Sequence, residues 1–140
     1  MGGITRLGAL TVNGAGTTVV NGVVKAASLT TDAGGRTVLN SGLIDTTGTQ
    51  SYGDGVILGA DTVLKGSTVA LAAGADATGP GAQSLTVDGN AALAQGIGAT
   101  AALKSLTVGG ATRMNGGSIV TSGAQSYGGA VTLANGAETL

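Results

Sequence analysis

The chain has 140 residues, 28 of them Gly, with 42% hydrophobic residues, two aromatics (Tyr52 and Tyr127) and a formal net charge of −1. Cys, His, Phe and Trp are absent, which excludes a disulfide framework, a thiol nucleophile, an imidazole base, a Ser-His-Asp triad and a Cys/His zinc site. Six basic residues against seven acidic ones form no nucleic-acid surface, and high hydrophobicity at so low a net charge is the opposite of a disordered composition.

From the start, Met1-Gly2-Gly3-Ile4-Thr5-Arg6 has neither the basic and apolar regions of a signal peptide nor, with Arg6 in place of Ser or Thr, a myristoylation site. Leu10-Thr11-Val12 then opens a phrase that returns as Leu29-Thr30-Thr31, Leu85-Thr86-Val87 and Leu106-Thr107-Val108. The leucines are separated by roughly 19, roughly 56 and roughly 21 residues, and the long interval is close to three of the short ones. Gln50-Ser51-Tyr52-Gly53-Asp54-Gly55-Val56-Ile57-Leu58 aligns without a gap to Gln125-Ser126-Tyr127-Gly128-Gly129-Ala130-Val131-Thr132-Leu133, an offset close to four such units. Both measures give a repeat of roughly 19 residues.

Each unit holds three apolar groups. The second reads Leu29-Thr30-Thr31, Thr37-Val38-Leu39 and Leu43-Ile44-Asp45; the sixth reads Leu106-Thr107-Val108, Thr112-Arg113-Met114 and Ser118-Ile119-Val120. Turn signals such as Asn13-Gly14, Asn21-Gly22, Asp54-Gly55, Asp88-Gly89, Asn115-Gly116 and Asn135-Gly136 punctuate them. Thr68 to Ala75 is far too short to span a bilayer, so no membrane insertion is expected. Ala91 to Ala102 is Ala-rich, but Gly96 and Gly98 break it as a helix. Ala134 to Leu140 matches Gly59 to Leu64 in mid-repeat, so the chain, one segment over 1–140, is expected to be part of something longer.

Three short strands and three corners per unit predict an all-β chain: a parallel β-helix (β-solenoid) of about seven coils, each of roughly 19 residues. An antiparallel sandwich is the competing fold. It leaves a gap about 10 Å thick that large aromatics usually fill, whereas a narrow coil is filled by Val, Leu, Ile and Ala. Leu10, Leu29, Leu85 and Leu106 are expected to stack as one inward ladder, with Val56–Leu58 superposed on Val131–Leu133 four coils away.

Two phrases, Leu106-Thr107-Val108-Gly109-Gly110 and Thr121-Ser122-Gly123-Ala124-Gln125-Ser126-Tyr127-Gly128-Gly129-Ala130-Val131-Thr132-Leu133, resemble repeats of large bacterial surface exoproteins. These are the filamentous-haemagglutinin-like adhesins and related autotransporter passengers. The resemblance implies a right-handed parallel β-helix, secreted across the outer membrane and displayed at the cell surface as a stalk.

Candidate chemistry is sparse. Asp32, Asp45, Asp54, Asp61, Asp76, Asp88 and Glu138 are spread one or two per coil, mostly beside Gly, as corner residues would be, rather than gathered as in a polysaccharide lyase or hydrolase. No calcium-binding nonapeptide run occurs, and no cofactor or metal is expected. Gly14-Ala15-Gly16, Gly53-Asp54-Gly55 and Gly96-Ile97-Gly98 continue into no phosphate-binding fingerprint and read as corners. Arg6, Lys25, Arg36, Lys65, Lys104 and Arg113 keep the surface wet. Thr11, Thr30, Thr86 and Thr107 are expected to line one outer face; ice-binding solenoids use such ladders, but with Thr-x-Thr in each coil, and only Thr47-Gly48-Thr49 has that form here. Tyr52 and Tyr127 either anchor a glycan or protein or cover a corner glycine. With those four threonines they are the candidate contact residues.

The leading expectation is a non-enzymatic segment of an extracellular surface fibre acting in adhesion. Its partners would be neighbouring repeats, end-to-end copies of itself, or a host or cell-surface glycan or protein. A self-assembling structural filament is the alternative, and a carbohydrate-active β-helix enzyme is disfavoured by the scattered acids.

Overall fold

Burial alternates residue by residue along the short strands, as in Arg36–Leu39, where Thr37 and Leu39 point inward and Arg36 and Val38 outward. A strand with one apolar side must bury it, and here the chain does so by coiling on itself. The computed structural model describes residues 1–134. Their strands are β1 (Leu7–Val12), β2 (Thr17–Val20), β3 (Val24–Thr31), β4 (Arg36–Leu39), β5 (Leu43–Thr46), β6 (Gln50–Tyr52), β7 (Gly55–Leu58), β8 (Thr62–Leu71), β9 (Ala75–Ala77), β10 (Leu85–Leu93), β11 (Leu106–Val108), β12 (Thr112–Met114), β13 (Gln125–Tyr127) and β14 (Val131–Leu133). No helix occurs among the described residues.

Every strand pairing is parallel, and the register arranges the strands as three faces of a β-solenoid with seven coils. Face 1 carries the first halves of β3, β8 and β10, together with β5, β11 and β13. Face 2 carries the ends of β1, β3, β8 and β10, with β6, β12 and β14. Face 3 is β2-β4-β7-β9, continued by isolated bridges from Ala75 to Ile97 and from Ile97 to Ile119. The solenoid and its repeat spacing follow the sequence reading: Leu10 pairs with Leu29, Gln50 with Val69 and Thr112 with Val131, one repeat further along the chain in each case.

The single leucine ladder is corrected. Leu10 and Leu29 stack on face 2, and their ladder continues through Gln50, Val69, Ala91, Thr112 and Val131. Leu85 and Leu106 stack on face 1, between Thr62 and Gln125. Likewise Val56–Leu58 lies on face 3 and Val131–Leu133 on face 2, so the two do not superpose. One corner supplies the reason. The turn from face 3 to face 1 takes three residues in the early coils (21–23, 40–42, 59–61) but seven at 78–84, so the coil that carries Thr62 round to Leu85 is longer than the repeat. The ladder from Leu29 reaches its third partner at Ala91, and Leu85 stands six residues short of it, one face early.

Inside the coils the core is mainly aliphatic, with Val24, Leu39, Ile44, Leu58, Leu64, Leu71, Leu85, Ile97, Leu103 and Leu106 all buried beside Tyr52, Met114 and a few polar side chains. Removing each such side chain from water contributes roughly 1.5–3 kcal/mol. At the corner between faces 1 and 2, Gly89 alone stands against Gly66 and Ser67 of β8 where the register shifts, with φ +146°. A methyl group there would collide with the carbonyl oxygen of Gly66 in the coil below. Gly14–Gly16 is a corner as expected and so is Gly53-Asp54, with Gly55 opening β7, whereas Gly96-Ile97-Gly98 is not: Ile97 is a buried rung of face 3.

Candidate contact surface

The outward side of face 2 carries mostly small and hydroxyl residues. Thr11 and Thr30 are neighbours on face 2 and both are exposed, followed on the same outer ladder by Ser51 and Ala70. Thr86 and Thr107 are neighbours on face 1, with Val63 below and Ser126 above. Each threonine points outward as alternation requires, but the expected single threonine ladder is split between two faces by the same six-residue slip.

Beside the face 1 threonines runs a ladder of alternating charge, Lys25, Asp45, Lys65 and Asp88, one per coil. Arg6 reaches over it from the first coil. Its guanidinium donates to the Asp45 carboxylate at 2.9 Å, to the Asp45 carbonyl at 2.6 Å and to the Ala26 carbonyl at 3.3 Å. The bond from Arg6, helped by the positive fields of Arg6, Lys65 and Lys25 and opposed by partial burial, holds the Asp45 carboxyl below its ordinary value. Arg6 thus fastens three coils together, a role that its isolated place in the sequence did not signal.

Tyr52 and Tyr127 do not occupy equivalent coil positions: Tyr52 is on face 2, and Tyr127 is on face 1. Their immediate surroundings are nevertheless the same. Tyr52 donates to Gln50 Oε1 (2.9 Å), Gln50 Nε2 donates to the Ile44 carbonyl (3.1 Å), and Thr46 donates to the Gly48 carbonyl (2.9 Å). In the second copy of the phrase, Tyr127 donates to Gln125 Oε1 (2.7 Å), Gln125 to the Ile119 carbonyl (3.2 Å) and Thr121 to the Gly123 carbonyl (2.8 Å). The Gln-Ser-Tyr phrase is therefore a local module that closes a corner, whichever face it falls on. Tyr52 has no exposed surface and is corrected from a contact residue to a core residue. Burial, reinforced by the charge of Asp54, drives its phenol far above the ordinary range; burial alone raises Tyr127, which is only partly covered.

The carboxylates are used inside the solenoid. Asp32 accepts from the Gly14 N–H in the coil below (3.0 and 3.1 Å). Asp61 accepts from the Ser84 N–H (2.8 Å), and Asp76 from the N–H groups of Thr100 and Ala101 (2.9 and 3.1 Å), in the coil above. Asp54 is buried and accepts from the hydroxyls of Thr31 (2.8 Å) and Thr37 (2.9 Å to each oxygen). Asp45 and Asp76 lie within strands rather than at corners. Among the described residues no three carboxylates gather into a potential metal site. Glu138 and Asn135-Gly136 lie outside the described residues.

No protein-family model matches this chain, and no curated protein or solved structure is detectably similar to it.

Proposed function

We propose that this chain is a non-enzymatic structural segment of a secreted bacterial surface fibre, serving as stalk and contact surface in adhesion. The observation that carries the proposal is where the acids are spent. Asp32, Asp54, Asp61 and Asp76 each bond to a donor of a neighbouring coil, and Asp45 to Arg6 two coils away, so each side chain acts as a rivet between coils. Hydrolysis or elimination on a polysaccharide needs carboxylates facing one substrate, free to exchange protons with it. The likeness of the Gln125–Leu133 phrase to surface exoproteins supports the extracellular placement, and the exposed Thr11 and Thr30 on face 2 and Thr107 on face 1 supply hydroxyls to a glycan or protein.

Antibodies against the chain are expected to label intact, unpermeabilised producing cells, with the label on material outside the outer membrane. Label confined to permeabilised cells would contradict the proposal. Incubation with acidic and neutral polysaccharides should release no reducing ends or unsaturated sugars. Turnover that disappears on Asp→Asn substitution would restore the enzyme reading.

A further inference from the structure

Across four consecutive coils, face 1 turns two columns of side chains outward. One is the charge ladder Lys25, Asp45, Lys65 and Asp88. The other lies two residues earlier in each coil and runs from Val23 through Leu43 and Val63 to Thr86. Leu43 and Val63, at its centre, have coils on both sides and are still only half-buried. The charges beside them are largely unused within the chain. Lys25, Lys65 and Asp88 make no side-chain hydrogen bond or ion pair among the described residues, and Asp45 engages only Oδ2, with Arg6. An apolar stripe flanked by unpaired charges of both signs is the composition of an interaction surface.

We propose that face 1 binds face 1 of a second copy of this chain, turned end for end about a two-fold axis that runs along the strands between Asp45 and Lys65. The order of the charges selects this partner. A ladder of plus, minus, plus, minus reads minus, plus, minus, plus when reversed, so Lys25 meets the second copy's Asp88 and Asp45 meets its Lys65, each contact occurring twice. The same rotation keeps each column against its own kind, and Leu43 packs on the second copy's Val63 at the centre. Two copies packed face to face in the same direction would exchange the columns and press charges onto the apolar stripe. Spacing selects the partner as well. Successive charges stand one coil apart, about 4.8 Å, and another solenoid keeps that step throughout. An extended peptide laid along the axis repeats its same-side residues every ~6.5 Å and loses register within two coils. Face-to-face sheets sit about 10 Å apart, a gap that Lys and Asp bridge end to end and that Leu with Val fills. The inference holds whether or not the protein is displayed on a cell, and its failure would leave the stalk reading standing.

The test is charge reversal read by sedimentation equilibrium of the whole chain. Four coils make a contact strip under about 20 Å long, so a single pair of faces associates weakly and the measurement is carried to high protein concentration. The parent is expected to form dimers that weaken several-fold when salt is raised from about 0.05 M to about 0.5 M. The single variants K25D and D88K, with folding checked by circular dichroism, each set two like-charge contacts across the axis and should weaken self-association about tenfold. Mixed in equal amounts they should recover dimers of parental strength, because reversing position 25 in one copy is answered by reversing position 88 in the other. A generic loss of surface charge or a partial misfolding would not be rescued by mixing. A parent that stays monomeric at every concentration would overturn the proposal. So would single variants that associate as the parent does, a mixture no stronger than its components, or a monomer that binds a synthetic peptide of alternating Lys and Asp.

Discussion

Alternation within three residues separates positions that tolerate charge from those that do not. Leu106 is buried on face 1 between Leu85 and Gln125, while Thr107 beside it is exposed. Leu106→Asp is expected to destabilise by roughly 3–5 kcal/mol, because it buries an unpaired carboxylate, and Thr107→Asp by less than about 0.5 kcal/mol; chemical denaturation of both variants measures the contrast. Among the described residues one buried side-chain hydroxyl is left unpaired. The Thr112 hydroxyl is buried on face 2 between Ala91 and Val131 with no hydrogen-bond partner. Thr112→Val keeps the shape and removes the orphan group, so it should stabilise by about 1 kcal/mol. A loss of stability of that size would show that the hydroxyl is satisfied in solution. By contrast Asp54, equally buried, has Thr31 and Thr37 to donate to it, and the sequence showed only an Asp-Gly turn at that place.

At the scale of the element, strands are short because each coil has to turn three times, and corners fail before strands do. Gly89 combines a left-handed φ with a neighbouring coil's carbonyl lying where a side chain would begin. Gly89→Ala is therefore expected to cost about 2–4 kcal/mol, more than the roughly 1 kcal/mol seen when only conformational freedom is at stake. A melting temperature within a degree or two of the parent would refute that reading of the corner. The Ile-x-Thr-x-Gly-x-Gln-Ser-Tyr module shows the opposite case, an element whose internal bonds are all local and so survive transfer from face 2 to face 1.

Across the whole molecule, coils are held to one another by ladder hydrogen bonds, aliphatic stacking and a few polar rivets, of which Arg6–Asp45 is the longest in reach. Because Asp45 titrates below its ordinary value of 3.8 when folded, the pair stabilises the fold fully above that pH, and the contribution disappears as pH falls through the lowered value. With the two side chains 32% and 16% exposed, the pair contributes about 1 kcal/mol. Asp45→Asn should lose about that amount at neutral pH and converge on the parent in strong acid, while Arg6→Met, which also removes the bonds to the Asp45 and Ala26 carbonyls, should leave a gap that persists there; an Asp45→Asn gap with no pH dependence would show that the carboxylate charge adds nothing. Chelators should leave the melting temperature unchanged, since the rivets are hydrogen bonds between protein groups, and a marked drop would reveal a bound cation. The solenoid itself, its coil number, its spacing and its aliphatic filling were legible in the sequence, because burial of alternate residues in short runs between turns depends only on local order. Which face each run occupies was not. All three sides of a coil have the same strand-turn pattern and nearly the same length, so a slip of six residues leaves the hydrophobic periodicity intact. Only pairing between coils, in which the long 78–84 corner displaces every later strand, decided that Leu85 does not stack on Leu29 and that Tyr52 lies in the core.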